Sequence, residues 1–160
     1  MTGLPIKKDH MNIMKPKKEK LRLPDSGKPM EKDGKLVPAL PPFKLIIAGG
    51  RDFRDFNILC DKRDRLLAHK RNTHNIVIVS GTARGADQLG ERYAVEKGFP
   101  ILRYPANWDR DGNAAGPIRN KHMAESADAL VAFWNGKSRG TANMIALARK
   151  RNIQIRIVNY

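Results

Sequence analysis

Five short apolar runs, each stopped by a turn-forming residue and each separated from the next by a stretch of helical spacing, constrain this chain most tightly. Phe43–Ala48 ends in Gly49-Gly50, and Asn75–Val79 ends in Ser80-Gly81. Pro100–Tyr104 stops at Pro105, Ala129–Trp134 stops at Asn135-Gly136, and Ile153–Val158 is the last. Continuous β-branched runs of this length suit strands buried on both faces of a parallel sheet. The last run alternates apolar and polar residues, as an edge strand with one wet face does. Between the runs, Phe56, Leu59, Cys60, Leu66 and Leu67 fall on one helical face, and so do Ala86, Leu89, Tyr93 and Ala94. Ile118, Met123 and Ala127 predict a shorter helix. Ala142, Ile145, Ala146 and Arg149 predict the last one, with Ser138 or Asn135 as its N-cap. The expectation is a Rossmann-like, doubly wound α/β domain over residues 43–160. Its sheet is five-stranded and mainly parallel, with helices on both faces. Right-handed crossovers then gather the strand C-termini on one edge, where such folds bind ligands near the switch in strand order.

Residues 1–42 have a different character. They contain prolines and no sustained apolar period, and read as a basic tail that is mobile or docks on something else. The whole chain has 31 Lys and Arg against 16 Asp and Glu, a formal charge of +15. Ten of the cations and five of the acids lie in residues 1–42, which leaves +10 on residues 43–160. Basicity therefore belongs to the folded part as well, and it favours polyanionic partners such as nucleotides or nucleic acid. A solvated basic surface is the plain alternative. Cys60 is the single cysteine, which rules out an intrachain disulfide and fits a reducing, cytoplasmic setting. No apolar run approaches the ~20 residues that span a bilayer, and Lys7 and Lys8 are not followed by the apolar stretch of a signal peptide. No membrane partner is expected. His10, His69, His74 and His122 lack metal-ligand spacing, so no metal site is expected.

Four Gly-rich stretches fall where the ligand edge of the sheet belongs. Gly49-Gly50-Arg51-Asp52 follows the first run. Its glycines allow close backbone approach to an anion, and Arg51 offers a charged fork. The alternative is a tight turn with a local Arg51–Asp52 contact. Ser80-Gly81-Thr82-Ala83-Arg84-Gly85-Ala86-Asp87 follows the second run. Arg84 is placed to face a phosphate, while Asp87, in a first helical turn, either contacts the ligand or complements the helix dipole. A long connection holds Asn107 and Trp108, then Arg119 and Asn120 near a helix start. Trp108 either stacks on a base or covers the core. Asn135 through Thr141, with Ser138, Arg139 and Gly140, resembles a phosphate cradle feeding a helix N-terminus. The dinucleotide GxGxxG and the Walker A pattern are both absent, and no Gly-x-Ser-x-Gly elbow or other nucleophile–base pair is readable.

At these same stretches the chain resembles the YspA-like branch of the SLOG superfamily. The matching segments are Gly49–Phe53, Gly81–Asp87, Pro105–Trp108, Ala115–Met123, Ala132–Trp134 and Ser138–Thr141, in family order across nearly all of residues 43–160. The superfamily includes cytokinin-activating phosphoribohydrolases, the DNA-processing protein DprA and nucleotide-signal sensors of bacterial defence. The resemblance implies a Rossmann-like fold and a nucleotide-derived ligand at the strand C-termini. It implies no further required cofactor, a homo-oligomer with a dimer as the default, and a phage or bacterial source. The phosphoribohydrolases carry a catalytic Glu in a Gly-Thr-x-x-Glu segment. Here that segment reads Gly140-Thr141-Ala142-Asn143-Met144, and a thioether cannot exchange a proton. An enzyme of this kind would be a nucleotide hydrolase, cleaving an N-glycosidic or phosphate bond, and would have to use Asp87 or Asp52 instead. The Ser80–Asp87 segment is close to DprA's, which with the basic domain keeps single-stranded DNA binding as a further alternative.

Overall fold

The computed structural model describes residues 30–32, 35–37 and 39–160 of the chain. Its first elements are two short strands, β1 (Met30–Lys32) and β2 (Lys35–Val37), paired antiparallel with Met30 opposite Val37. The rest of the segment expected to be a tail lies largely outside the described residues.

The strand expected at Phe43 begins at Pro42, which needs no donor as the first residue of a strand. This strand, β3 (Pro42–Gly49), is followed by α1 (Phe56–Leu67), β4 (Asn75–Ser80), α2 (Ala86–Lys97) and β5 (Ile101–Arg103). Then come a short α3 (Trp108–Asp111), α4 (Ala115–Ser126), β6 (Ala129–Trp134), α5 (Arg139–Lys150) and β7 (Gln154–Asn159). The sheet runs in the order β5-β4-β3-β6-β7, and every pairing is parallel. The chain moves outward from β3 through β4 to β5, then returns to the other side of β3. Strand order therefore switches between β3 and β6, and the loops after β3, β4, β5 and β6 emerge on one edge.

The β-branched runs form the centre of the molecule. Leu45, Ile47, Ile78, Val131 and Phe133 face one side of the sheet and pack with Phe53, Leu59, Leu67 and Tyr93. Ile46, Val79, Leu130 and Ala132 face the other and pack with Met123, Met144, Ile145 and Ala148. Neighbouring residues of one strand thus serve opposite layers, so β3, β4 and β6 lack the alternation of a sheet with one wet face. β7 does alternate in exposure, as its edge position requires.

Two local features depart from the sequence-based expectation. The connection after β5 holds, ahead of the expected helix α4, a short α3 and a 3-10 turn at Gly112–Ala114, and α4 begins already at Ala115. Arg119 consequently sits in the second turn of α4 instead of at its start. The face expected on α1 also contains an arginine, Arg63, whose side chain is fully buried between the helix and the Tyr93 ring.

Candidate functional site

At the switch in strand order, the C-terminal end of β3 lies between the N-termini of α2 and α5, and α4 closes one side. The cleft formed there has a volume of about 520 Å³. Ala48, Met123, Met144, Pro117 and Trp108 give it apolar walls, and Arg51, Arg119 and Arg139 supply cations. A smaller compartment of about 190 Å³ adjoins it, bounded by Gly81, Thr82, Ala83, Arg84, Pro105 and Ala106. Arg51, Trp108 and Arg119 line both.

The local sequence explains how these groups are held. Gly85 has φ +81°, a conformation that suits glycine, and a side chain there would meet the Gly50 carbonyl. That carbonyl accepts from the N–H groups of Phe53 and Ala86, tying the first loop to the start of α2. α2 thus has its first donor occupied within the protein. α1 begins several residues after the glycines, and Asp55 caps it by accepting from Ile58 N at 2.8 Å. The first turn of α1 does not line the cleft. That of α5 does, with Ser138 capping it through Thr141 N at 3.3 Å as Asp55 caps α1.

Arg119 and Asn120 bind the site together. The absence of a side chain at Gly81 lets the Arg119 guanidinium lie against the loop after β4, where Nη1 donates to the Gly81 carbonyl. Arg119 Nε donates to Asn120 Oδ1 at 3.0 Å. Asn120 is buried, and its amide donates to Gly140 O at 3.2 Å and Asn143 Oδ1 at 3.0 Å. One asparagine therefore joins α4 to the first turn of α5 and fixes the arginine beside it.

The two carboxylates of the cleft differ sharply. Asp87 is 5% exposed and accepts from Gly81 N at 3.0 Å. Burial pushes its carboxyl up to about 6, although Arg119 and backbone N–H groups oppose the shift. Burial also lowers Arg119 below the usual arginine range, Asp87 acts against this, and the like charge of Arg51 adds to it. Asp52 is exposed and held from outside the cleft. Tyr160 Oη donates to it at 2.7 Å and Asn135 Nδ2 at 3.2 Å, and these bonds help keep it below the usual carboxylate range.

The other expected site residues take supporting positions. Gly49 lines the cleft, as do Ser138, Gly140 and Thr141. Ser80 is buried, donates to Glu91 at 2.8 Å and accepts from Thr82 N, so it shapes the loop from below. Asn107 caps α3 by accepting from Arg110 N at 3.1 Å, which sets Trp108 on the first turn of that helix. Trp108 is 50% exposed at the cleft. Trp134 instead packs on the second core layer, its indole donating to Ser138 O at 3.2 Å. Sequence reading missed Ala48, Met123 and Asn143 as lining residues. Met123 lies four positions after Arg119, and Asn143 and Met144 lie three and four after Gly140. Helical spacing from the recognised residues was therefore the available signal.

The curated Gene 61 protein of Mycobacterium phage D29 is 33% identical over 119 residues, covering 70% of this chain and 93% of that protein. The family described as "YAcAr: YspA, cpYpsA-related SLOG family" matches residues 43–110. The chain belongs to this SLOG family. Among solved structures, DNA processing protein A (DprA) from Streptococcus pneumoniae superposes with a TM-score of 0.56 at 15% identity. The alignment covers 73% of this chain and 50% of DprA, so this SLOG chain spans about half of that protein and shares its fold. Among the described residues, no helix is long and apolar enough to cross a membrane.

Proposed function

We propose that this SLOG domain binds a phosphate-bearing nucleotide or nucleotide derivative in the cleft at the β3/β6 switch, acting as a sensor, sponge or carrier of that ligand. The observation that carries the reading is the composition of the cleft: apolar walls and a half-exposed tryptophan together with three arginines and the first turn of α5. A base and sugar need the first, and a phosphate needs the second. Family membership and the DprA-like fold support a nucleotide- or nucleic-acid-related role. The test is calorimetry or thermal shift against nucleoside monophosphates, NAD, ADP-ribose and cyclic ADP-ribose. A ligand at 100 times its dissociation constant raises stability by about 2.7 kcal/mol. The reading fails if no phosphorylated nucleoside shifts the protein. Mass spectrometry of small molecules released on denaturing freshly purified protein identifies the natural ligand.

One observation favours a hydrolytic second reading. Asp87 lines the cleft with its carboxyl raised to about 6, in the range suited to proton transfer. Met144, at the position of the phosphoribohydrolase glutamate, is buried in the second core layer and has no such chemistry. Hydrolysis would therefore rest on Asp87, because Asp52 is committed to Tyr160 and Asn135. Chromatography for released base or ribose phosphate tests it. An active protein whose Asp87→Ala variant keeps the full rate rejects the role assigned to Asp87.

A further inference from the structure

The smaller compartment has a chemistry of its own. Three arginines, Arg51, Arg84 and Arg119, line it, and no acidic residue does. Among the described residues, the Arg51 and Arg84 side chains make no hydrogen bond or ion pair. Arg119 is anchored through Nη1 and Nε, leaving Nη2 without a partner among the described residues. Thr82, held at φ +61°, adds a hydroxyl with no hydrogen bond among the described residues. Arg71 and Lys97, by contrast, share Asp64, and Arg103 meets Glu91. Asp87 offsets the charge of Arg119, while Arg51 and Arg84 have no acid partner among the described residues, so the compartment favours an anion. The α5 N-terminus with Arg139 belongs to the larger chamber and is absent from the smaller one. The site thus has two anion-attracting ends, with Trp108 shared between the compartments.

We infer that the ligand carries two separated anionic groups on a nucleoside body. One group sits at the α5 N-terminus, the other in the Arg51–Arg84–Arg119 compartment, and the nucleoside lies along the apolar wall beside Trp108. The inference rests on the nucleotide reading of the cleft and narrows it to a class: a nucleoside bisphosphate, or the equivalent unit of a 5′-phosphorylated dinucleotide. A terminal monophosphate leaves one end of the site empty. A 5′-diphosphate carries both phosphates at one end of the nucleoside.

Calorimetry on the full chain separates these cases. The probes are nucleoside 5′-monophosphates, 5′-diphosphates, 3′,5′-bisphosphates and 5′-phosphorylated dinucleotides of each common base. The bisphosphate, the dinucleotide or both bind about tenfold tighter than the matching monophosphate, as one added charge-assisted hydrogen bond provides. Arg84→Ala brings that ratio to within about twofold, since Arg84 lines only the smaller compartment. Its melting temperature verifies the fold, because the Arg84 side chain bonds to nothing in the described protein. Preference for the bisphosphate or for the dinucleotide tells the free from the oligomeric source. Equal affinity for the mono- and bisphosphate and dinucleotide, a 5′-diphosphate that matches the best probe, or a ratio unmoved by Arg84→Ala overturns the inference while leaving the nucleotide reading intact. Binding of none of the probes overturns both.

Discussion

Asp87 and Arg63 show how differently two buried charges act in the same small domain. Asp87 has a folded-state value near 6 against an ordinary 3.8, so its protonated form is the one folding favours. The stability it contributes is complete below about pH 4 and is lost as pH rises through 6, on the order of 3 kcal/mol. Urea denaturation between pH 4 and 7.5 will show this decline, and Asp87→Asn, which keeps an acceptor for Gly81 N, will flatten it. An unchanged slope in the variant would assign the pH dependence elsewhere. The same titration reaches the ligand, because a neutral Asp87 leaves Arg119 uncompensated. A phosphodiester probe, whose charge is constant over this range, will bind more tightly at pH 5.5 than at 7.5, and Asp87→Asn will remove the difference. Arg63 lies outside the cleft. Its Nε donates to Leu59 O at 2.9 Å and its guanidinium carbon stands 3.6 Å from the Tyr93 ring centre, but Nη1 and Nη2 have no partner among the described residues. Burial takes this arginine down to about 10. Desolvating donors without acceptors is unfavourable by about 1–3 kcal/mol, which offsets the stacking on Tyr93. Arg63→Met keeps the packed volume without the charge and will leave the melting temperature unchanged or raise it. Arg63→Ala opens a cavity and will lower stability by about 2–4 kcal/mol.

Secondary-structure elements decide which of the four glycine-rich loops face a ligand. All four were visible in the sequence, because glycine after a β-branched run has few other uses in a parallel sheet. Their inequality was not visible. It depends on backbone groups such as Gly50 O, which consumes the first donor of α2, and on Asp55, which caps α1 before it reaches the cleft. The α5 turn lines the cleft, and its cap was legible only as Ser138 or Asn135; Ser138 takes it, while Asn135 accepts from Lys137 N and Ser138 N. Ser138→Ala removes the bonds to Thr141 N and to Thr141 Oγ1, and will lower stability by about 1 kcal/mol while Ser138→Gly costs only a few tenths. Denaturant midpoints of the two variants check this ordering, and a Ser138→Ala variant as stable as the parent would show that the cap bond contributes nothing. The Arg119–Asn120 tie was illegible for another reason. Both residues stood out as polar groups near a loop, yet the partners of Asn120 are a carbonyl and an amide 20 or more residues away. Only the packing of α4 on α5 brings them together. Arg63 was missed because periodicity assigns a buried helical face to apolar residues, whereas a long arginine stem can cover an aromatic ring from within that face. The β1–β2 ribbon lacked an apolar period altogether.

Across the whole molecule, charge is distributed unevenly, and this decides what nucleic-acid binding should look like. Around α1, α2 and β5 the surface cations largely have partners: Arg65 with Asp61, Arg71 and Lys97 with Asp64, Arg92 with Glu96, Arg103 with Glu91. From Gly112 onward the sequence has eight Lys and Arg against Glu125 and Asp128 alone. Arg149, Lys150 and Arg151 follow one another at the end of α5, and Arg156 is exposed on the edge strand β7. None of these four is in an ion pair among the described residues. Lys15, Lys17, Lys18 and Lys20 add further charge from the N-terminal segment. Such a surface attracts any polyanion in proportion to the phosphates it neutralises, with little regard for sequence. Fluorescence anisotropy will therefore find single- and double-stranded oligonucleotides bound at low salt, with affinity falling steeply and linearly in logarithmic terms as salt rises. Replacing Arg149, Lys150 and Arg151 together by glutamine will weaken that binding and reduce the salt slope, as will starting the chain at Pro42, whereas mononucleotide affinity will stay where it was. Trp108→Ala, which removes the aromatic surface exposed at the cleft, will have the reverse selectivity, reducing mononucleotide affinity more than that for oligonucleotides. A different pattern assigns the strand itself to the cleft: affinity tighter than ~1 μM near physiological salt, retained from Pro42 onward and lost in Arg84→Ala or Trp108→Ala, means that stacking and phosphate capture occur along one polymer.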